Sequence, residues 1–191
     1  MNALRSVALA AVTACFVGSA HAFYIVDTGS GPESHWGYAL SEDQSLGASF
    51  NVAAATTINS VEGWMWSTAP GTVTVQLIDG NDANGDVLFS GSFAATAGPA
   101  MWWGADNLGW VVAGGDYTVT FHADPEFFGA MPSAAPNPLV TEWVNDGGQT
   151  TWYPADDLDL GVRIAAVPEP SSYVLMLVGL LGVGTLLRRH V

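Results

Sequence analysis

From residue 72 to residue 164, apolar and polar side chains alternate with a period of two, in runs broken by turn-forming residues. Val73, Val75 and Leu77 share one face of such a run, opposite Thr72, Thr74 and Gln76. Val87, Phe89 and Phe93 alternate with Leu88, Ser90 and Ser92, and Tyr117, Val119 and Phe121 alternate with Thr118, Thr120 and His122. Leu158, Leu160, Val162 and Ile164 do the same against Asp157, Asp159 and Arg163. Successive side chains of a strand point to opposite faces, so this is the pattern of half-buried strands. Residues 46–52, 58–66 and 110–112 add further candidates. Ala69-Pro70-Gly71, Asn84-Gly85, Gly98-Pro99 and Gly114-Gly115-Asp116 supply turn chemistry between them. The expectation is an all-β fold, an antiparallel β-sandwich of jelly-roll type with about seven or eight short strands.

One stretch breaks the pattern. Residues 123–139 hold Pro125, Pro132, Pro136 and Pro138. Proline lacks the N–H a ladder needs, so continuous pairing is excluded there. Phe127, Phe128 and Met131 are apolar for a loop. The stretch reads as a crossover packed over one end of the sandwich or, alternatively, as an exposed recognition loop.

The ends of the chain differ from this body. Arg5 precedes an apolar run over residues 7–17, then Gly18-Ser19-Ala20-His21-Ala22. Ala20 and Ala22 form the A-x-A pattern of a signal-peptidase site, so residues 1–22 read as a signal peptide and Phe23 as the mature start. Val12-Thr13-Ala14-Cys15 is a lipobox-like alternative, but apolar residues continue past Cys15 and a clean A-x-A site follows. The body spans residues 23–166, long enough for one domain with a real core. It holds one cation, Arg163, against seventeen carboxylates, a formal charge of −16. Such a surface repels phosphate backbones and excludes nucleic acid as a partner. Cys15, the chain's one cysteine, lies in the leader, which removes disulfides, thiol catalysis and cysteine-ligated metals from the body.

At the other end, Val167-Pro168-Glu169-Pro170 leads through Ser171-Ser172 into an apolar helix over about residues 173–187. Arg188 and Arg189 follow. A helix over residues 171–187 would reach roughly 25 Å, slightly short of a hydrocarbon core of roughly 30 Å. The arginines hold its end in the cytoplasm, as Arg5 does for the leader, so the body lies outside.

These residues, 167–191, resemble the sorting signal of PEP-CTERM proteins: a V-P-E-P motif, a small polar pair, a glycine-spotted apolar helix and terminal arginines. Here those are Val167 to Pro170, Ser171-Ser172, the helix with Gly179, Gly182 and Gly184, and Arg188-Arg189. His190 and Val191, which trail the arginines, are a small departure. The resemblance implies processing by a membrane exosortase in a Gram-negative host that makes exopolysaccharide and biofilm. The body's Phe50 and Val52, then Ile58, Val61 and Trp64, then residues 73–79 and 115–121, resemble the order of features in many passenger domains of that family.

Catalytic signals are sparse. The body offers only His35 and His122, and it lacks a G-x-S-x-G elbow. His122, on the polar side of its strand, reads as a surface residue. Two histidines are poor material for zinc. Asp82, Asn84 and Asp86 have the alternating spacing of a calcium loop, but no glycine follows Asp86 and the twelfth-position glutamate is missing. A hairpin loop turning at Asn84-Gly85 is the plainer reading, and Asp156, Asp157 and Asp159 form a weaker cation candidate. No other cofactor is implied.

All eight tryptophans lie in the body. Trp64 and Trp66, on one face of a strand, read as core. Trp102 and Trp103 are adjacent and cannot both point inward on a strand, so one of them is a candidate sugar platform. The expected role is a non-enzymatic envelope or matrix protein, structural or adhesive in biofilm and exopolysaccharide. A polysaccharide-binding module using exposed tryptophans and a secreted glycan-active enzyme are the alternatives.

Overall fold

The computed structural model describes residues 23–33, 37–133, 139–147, 149–155 and 157–167. The predicted leader, the sorting motif beyond Val167 and the apolar segment 173–187 lie outside them, as do His35 and Asp156. Among the described residues every regular element is a strand.

The described residues form twelve strands rather than the expected seven or eight, in two antiparallel six-stranded sheets. The first sheet contains β3 (Gln44–Val52), β5 (Gly71–Asp79), β6 (Val87–Ala95), β8 (Gly115–Ala123), β10 (Thr141–Asp146) and β11 (Tyr153–Pro154), in the order β11-β10-β3-β8-β5-β6. The second contains β1 (Phe23–Asp27), β2 (Tyr38–Leu40), β4 (Thr56–Ala69), β7 (Gly98–Val112), β9 (Phe128–Met131) and β12 (Val162–Val167). Its spine is β4. Along one edge β4 pairs with β7, from Thr56↔Val112 to Ser67↔Gly98. Its other edge is shared end to end, with β12 on residues 57–63 and β9 on residues 66–69.

The alternation explains the core. Val73, Val75, Leu77, Val119 and Phe121 project from the first sheet and meet Ile58, Val61, Met65, Val162 and Ile164 from the second, each fully buried. Each such side chain contributes roughly 1.5–3 kcal/mol relative to an exposed one. Gly104 fits the second sheet for a different reason. A Cβ there would come within 2.2 Å of the Val61 carbonyl and 2.7 Å of the Glu62 side chain, so β7 can lie against β4 at that point only with a glycine.

Three further expectations change. The proline-rich stretch does pair, chiefly over the four residues of β9 between Pro125 and Pro132, with an isolated bridge from Ser133 to Leu160, in keeping with the missing N–H groups. Phe127 and Met131 enter the core from it, while Phe128 is exposed. Trp64 and Trp66 face outward from β4, because the inward register belongs to Gly63, Met65 and Ser67. Over residues 63–67 the outward face, with Trp64 and Trp66, is the more apolar of the two, so alternation alone did not reveal which one is covered. Finally, Leu158 and Leu160 are buried from a loop, and the strand itself begins at Val162.

Candidate functional site

The first functional feature is the corner where the two ends of the body meet. Phe23, the predicted mature start, opens β1 and pairs with Ala166 near the end of β12. Val167 is tied down in turn, pairing with Thr57 while its carbonyl accepts a bond from Thr56 Oγ1 at 3.1 Å. The chain therefore enters and leaves the fold side by side. The V-P-E-P motif begins at Val167, the last paired residue among those described, so strand and motif share that residue.

The second feature lies on the outer face of the second sheet. Asp27, Arg163 and Glu62 are cross-strand partners on β1, β12 and β4, so they form one row. Arg163 Nε donates to Asp27 Oδ1 at 2.9 Å. Its guanidinium lies 4.1 Å from the centre of the Trp102 ring and 5.3 Å from that of Tyr24. Trp64 meets Trp102 edge to face at 5.4 Å and donates its indole N–H to the Pro32 carbonyl. The pair Trp102–Trp103 divides as a strand requires: Trp102 faces out, half-buried, and Trp103 packs against the core. Arg163 thus covers part of one face of the candidate platform.

The charges here respond to each other. Burial alone would raise the Asp27 carboxyl, but bonds from Arg163 and the Gly29 N–H, with the Arg163 charge, hold it below its ordinary value. Glu62 is raised, first by burial and then by Asp106, with Arg163 offsetting part of the effect. The arrangement offers aromatic faces, one cation and two carboxylates of unequal basicity, a set suited to apolar and hydrogen-bonding contact with a polyhydroxylated ligand. Sequence reading missed this cluster because its members are far apart in the chain. The available signal was Arg163, the body's only cation.

The Asp82, Asn84 and Asp86 loop is engaged differently. Trp152 N–H donates to Asn84 Oδ1 at 2.8 Å, and Asn84 Nδ2 donates to the Trp152 carbonyl at 3.2 Å. Asp82 Oδ1 accepts from both the backbone N–H and the side-chain amide of Asn84. The loop thus clamps the 149–155 segment onto the outer face of the first sheet, where Ala83, Trp143 and Trp152 form a small second core. Among the described residues no group of three or more His, Cys, Asp or Glu is placed to hold a metal ion.

His122 lies under this roof rather than at an open surface. It is half-buried, edge-on to Trp152 at 5.5 Å. Its Nδ1 lies 3.1 Å from Ser45 Oγ and its Nε2 3.0 Å from Thr120 Oγ1. Burial lowers its pKa below the usual histidine value.

Comparison with known families identifies one match: the PEP-CTERM protein-sorting motif, over residues 166–189. No curated protein matches the chain. The motif marks an exported protein that an exosortase processes and directs to the cell envelope or surface. It starts at Ala166, the residue paired with Phe23.

Proposed function

We propose that this chain, an exosortase substrate, is a non-enzymatic β-sandwich of jelly-roll type presented on a Gram-negative cell, where it contributes to biofilm by contact with exopolysaccharide. Signal peptidase releases Phe23, the 173–187 segment holds the protein in the membrane for a time, and an exosortase then acts at the V-P-E-P motif. The observation that carries this reading is the corner where the ends meet. A domain that enters and leaves at one point can fold completely while both flanks are still in the membrane, and it projects the rest of its surface outward.

A more specific reading, a carbohydrate-binding domain, is favoured by the Trp102, Arg163 and Tyr24 cluster. Indole and phenol rings beside a cation and carboxylates supply the apolar and polar contacts that sugar rings use.

Both readings are tested together. Mass spectrometry of surface and secreted fractions should recover the body beginning at Phe23 and lacking residues 173–187. Recovery with Arg188 and Arg189 attached would refute transient anchoring. Retention on exopolysaccharide from the host should fall on Trp102→Ala and persist in Trp103→Phe. Retention indifferent to Trp102 removes the carbohydrate reading of that face and leaves the sorting reading standing.

A further inference from the structure

We propose that β6 is a self-complementary edge through which two copies of this chain join their first sheets. The strand is the last in its sheet, and among the described residues no strand pairs with its outer edge. Natural edges are commonly protected by charge, proline or irregularity. Here the nine residues Val87 to Ala95 contain no ionisable residue and no proline, in a chain of net charge −14, and the irregularity in the strand's pairing with β5 is confined to its Val87–Phe89 end. Two copies can therefore approach along this line without bringing carboxylates together.

The sequence of the strand identifies the partner. Phe89-Ser90-Gly91-Ser92-Phe93 reads the same in both directions about Gly91. A two-fold axis through Gly91 makes an antiparallel pair that sets Phe89 against the partner's Phe93 and Ser90 against the partner's Ser92. Residues opposite each other in an antiparallel pair share a face. The phenylalanines, half-buried toward the core, then extend it across the axis, and the exposed serines meet on the outer face.

The backbone agrees with this register. Thr72 turns its carbonyl toward β8, accepting the Asp124 N–H at 2.9 Å. Main-chain groups alternate sides along a strand, so Val73, Val75 and Leu77 turn theirs toward β6. Their partners Phe93, Gly91 and Phe89 are satisfied by β5. The groups of Ser90, Ser92 and Ala94 consequently point outward, and the Gly91-centred register brings Ser90 to the partner's Ser92 as a hydrogen-bonded pair. Such an isologous contact closes at two copies and does not propagate.

The test uses the full chain in mild detergent, with sedimentation at roughly 50 μM, where a micromolar interface is mostly occupied. Wild type should sediment as a dimer. Ser90→Lys with Ser92→Lys, which places two cations from each copy at the seam, should weaken dimerisation by at least about tenfold without lowering the melting temperature. Wild type that remains monomeric overturns the proposal, as do open-ended polymers. A dimer indifferent to the lysines places the contact elsewhere, in the tail for instance, and overturns it too. Should the lysine variant misfold, crosslinking decides. In a Cys15→Ser background, an equal mixture of Ser90→Cys and Ser92→Cys chains should form mixed disulfides in preference to like-with-like ones. No such preference rejects the register and the proposal with it.

Discussion

The outer faces of the two sheets both carry tryptophan beside polar side chains and treat it in different ways. On the first sheet, Ser49, Thr118 and Thr120 would ordinarily face water, yet all three are fully buried. The 80–86 loop and the Trp143 and Trp152 side chains roof them over, and every hydroxyl is bonded. Trp143 Nε1 donates to Ser49 Oγ at 2.8 Å, Ser49 Oγ lies 2.7 Å from Thr118 Oγ1, and Thr118 Oγ1 donates to the Gly80 carbonyl at 3.0 Å. On the second sheet Trp64, Trp66 and Trp102 also point outward and remain half-buried, with Arg163 over the Trp102 ring and Asp27 and Tyr24 exposed beside it. A tryptophan on an outward register is thus a structural part where a loop is clamped over it, as at Trp143 and Trp152, and a presented surface where its ring stays partly open, as at Trp102.

The largest expected effect breaks the roof. Trp143 is 8% exposed and bonds Ser49 in the middle of the polar layer. Replacing it with alanine should cost about 3–5 kcal/mol, read as a lowered midpoint in urea. A cost near that of an exposed residue would mean that the roof is a loose cover and the contrast between the faces is shallow.

The loop clamp comes next. Asn84→Ala removes both bonds to the Trp152 backbone and should cost about 1–2 kcal/mol. Asn84→Asp sharpens the point, because it adds a carboxylate and loses the donor. As a clamp residue, its replacement lowers the melting temperature whether or not calcium is present. A rise on adding calcium would convert the loop into a cation site, since an ion binding only the folded state stabilises it.

These positions show what the sequence made legible. Strand periodicity identified the core of the first sheet, because Val73, Val75, Leu77, Val119 and Phe121 were inward in any register that buried one face. The split between Trp102 and Trp103 followed from strand geometry alone. The roof did not announce itself. Nothing local in Asn84 or Trp152 says that residues 68 apart bond to each other, and nothing in His122 says that an indole lies over it. Such contacts depend on loop paths, which period-two patterning does not encode. The outward placement of Trp64 and Trp66 was hidden for a related reason: hydrophobicity ranks how apolar a face is, and the actual choice went to the face that fits between two sheets.

On the presented face, Trp102→Ala should cost about 1 kcal/mol, the loss of one half-buried ring and its contact with Arg163. The Arg163–Asp27 pair adds little, since its side chains are 26% and 37% exposed and surface pairs contribute roughly 0–1 kcal/mol. Urea midpoints of Trp143→Ala and Trp102→Ala therefore compare the two faces directly. Equal costs would erase the distinction.

The smallest effect concerns pH and sets His122 against Glu62 by the sign of their titrations. His122, under the roof, has its pKa lowered by burial. The unfolded chain therefore binds more protons than the folded one between the lowered value and the ordinary value of about 6.5. Its contribution to stability is intact above that ordinary value and is lost as the pH falls toward the lowered one. Glu62, on the open face, is raised chiefly by burial, so it acts in the opposite sense. Its folded form holds the proton longer, and stability declines as the pH rises from the ordinary glutamate value of about 4.3 through the raised one. Each slope stays below the single-proton ceiling of about 1.4 kcal/mol per pH unit. Between pH 7 and about 5.5 the melting temperature of wild type should fall further than that of His122→Asn, which cannot titrate. Glu62→Gln should leave the histidine-dependent fall in place and flatten the dependence at lower pH. A His122→Asn curve parallel to wild type would show that protons reach the imidazole as easily as in the unfolded chain, and that the roof over the first sheet opens to water.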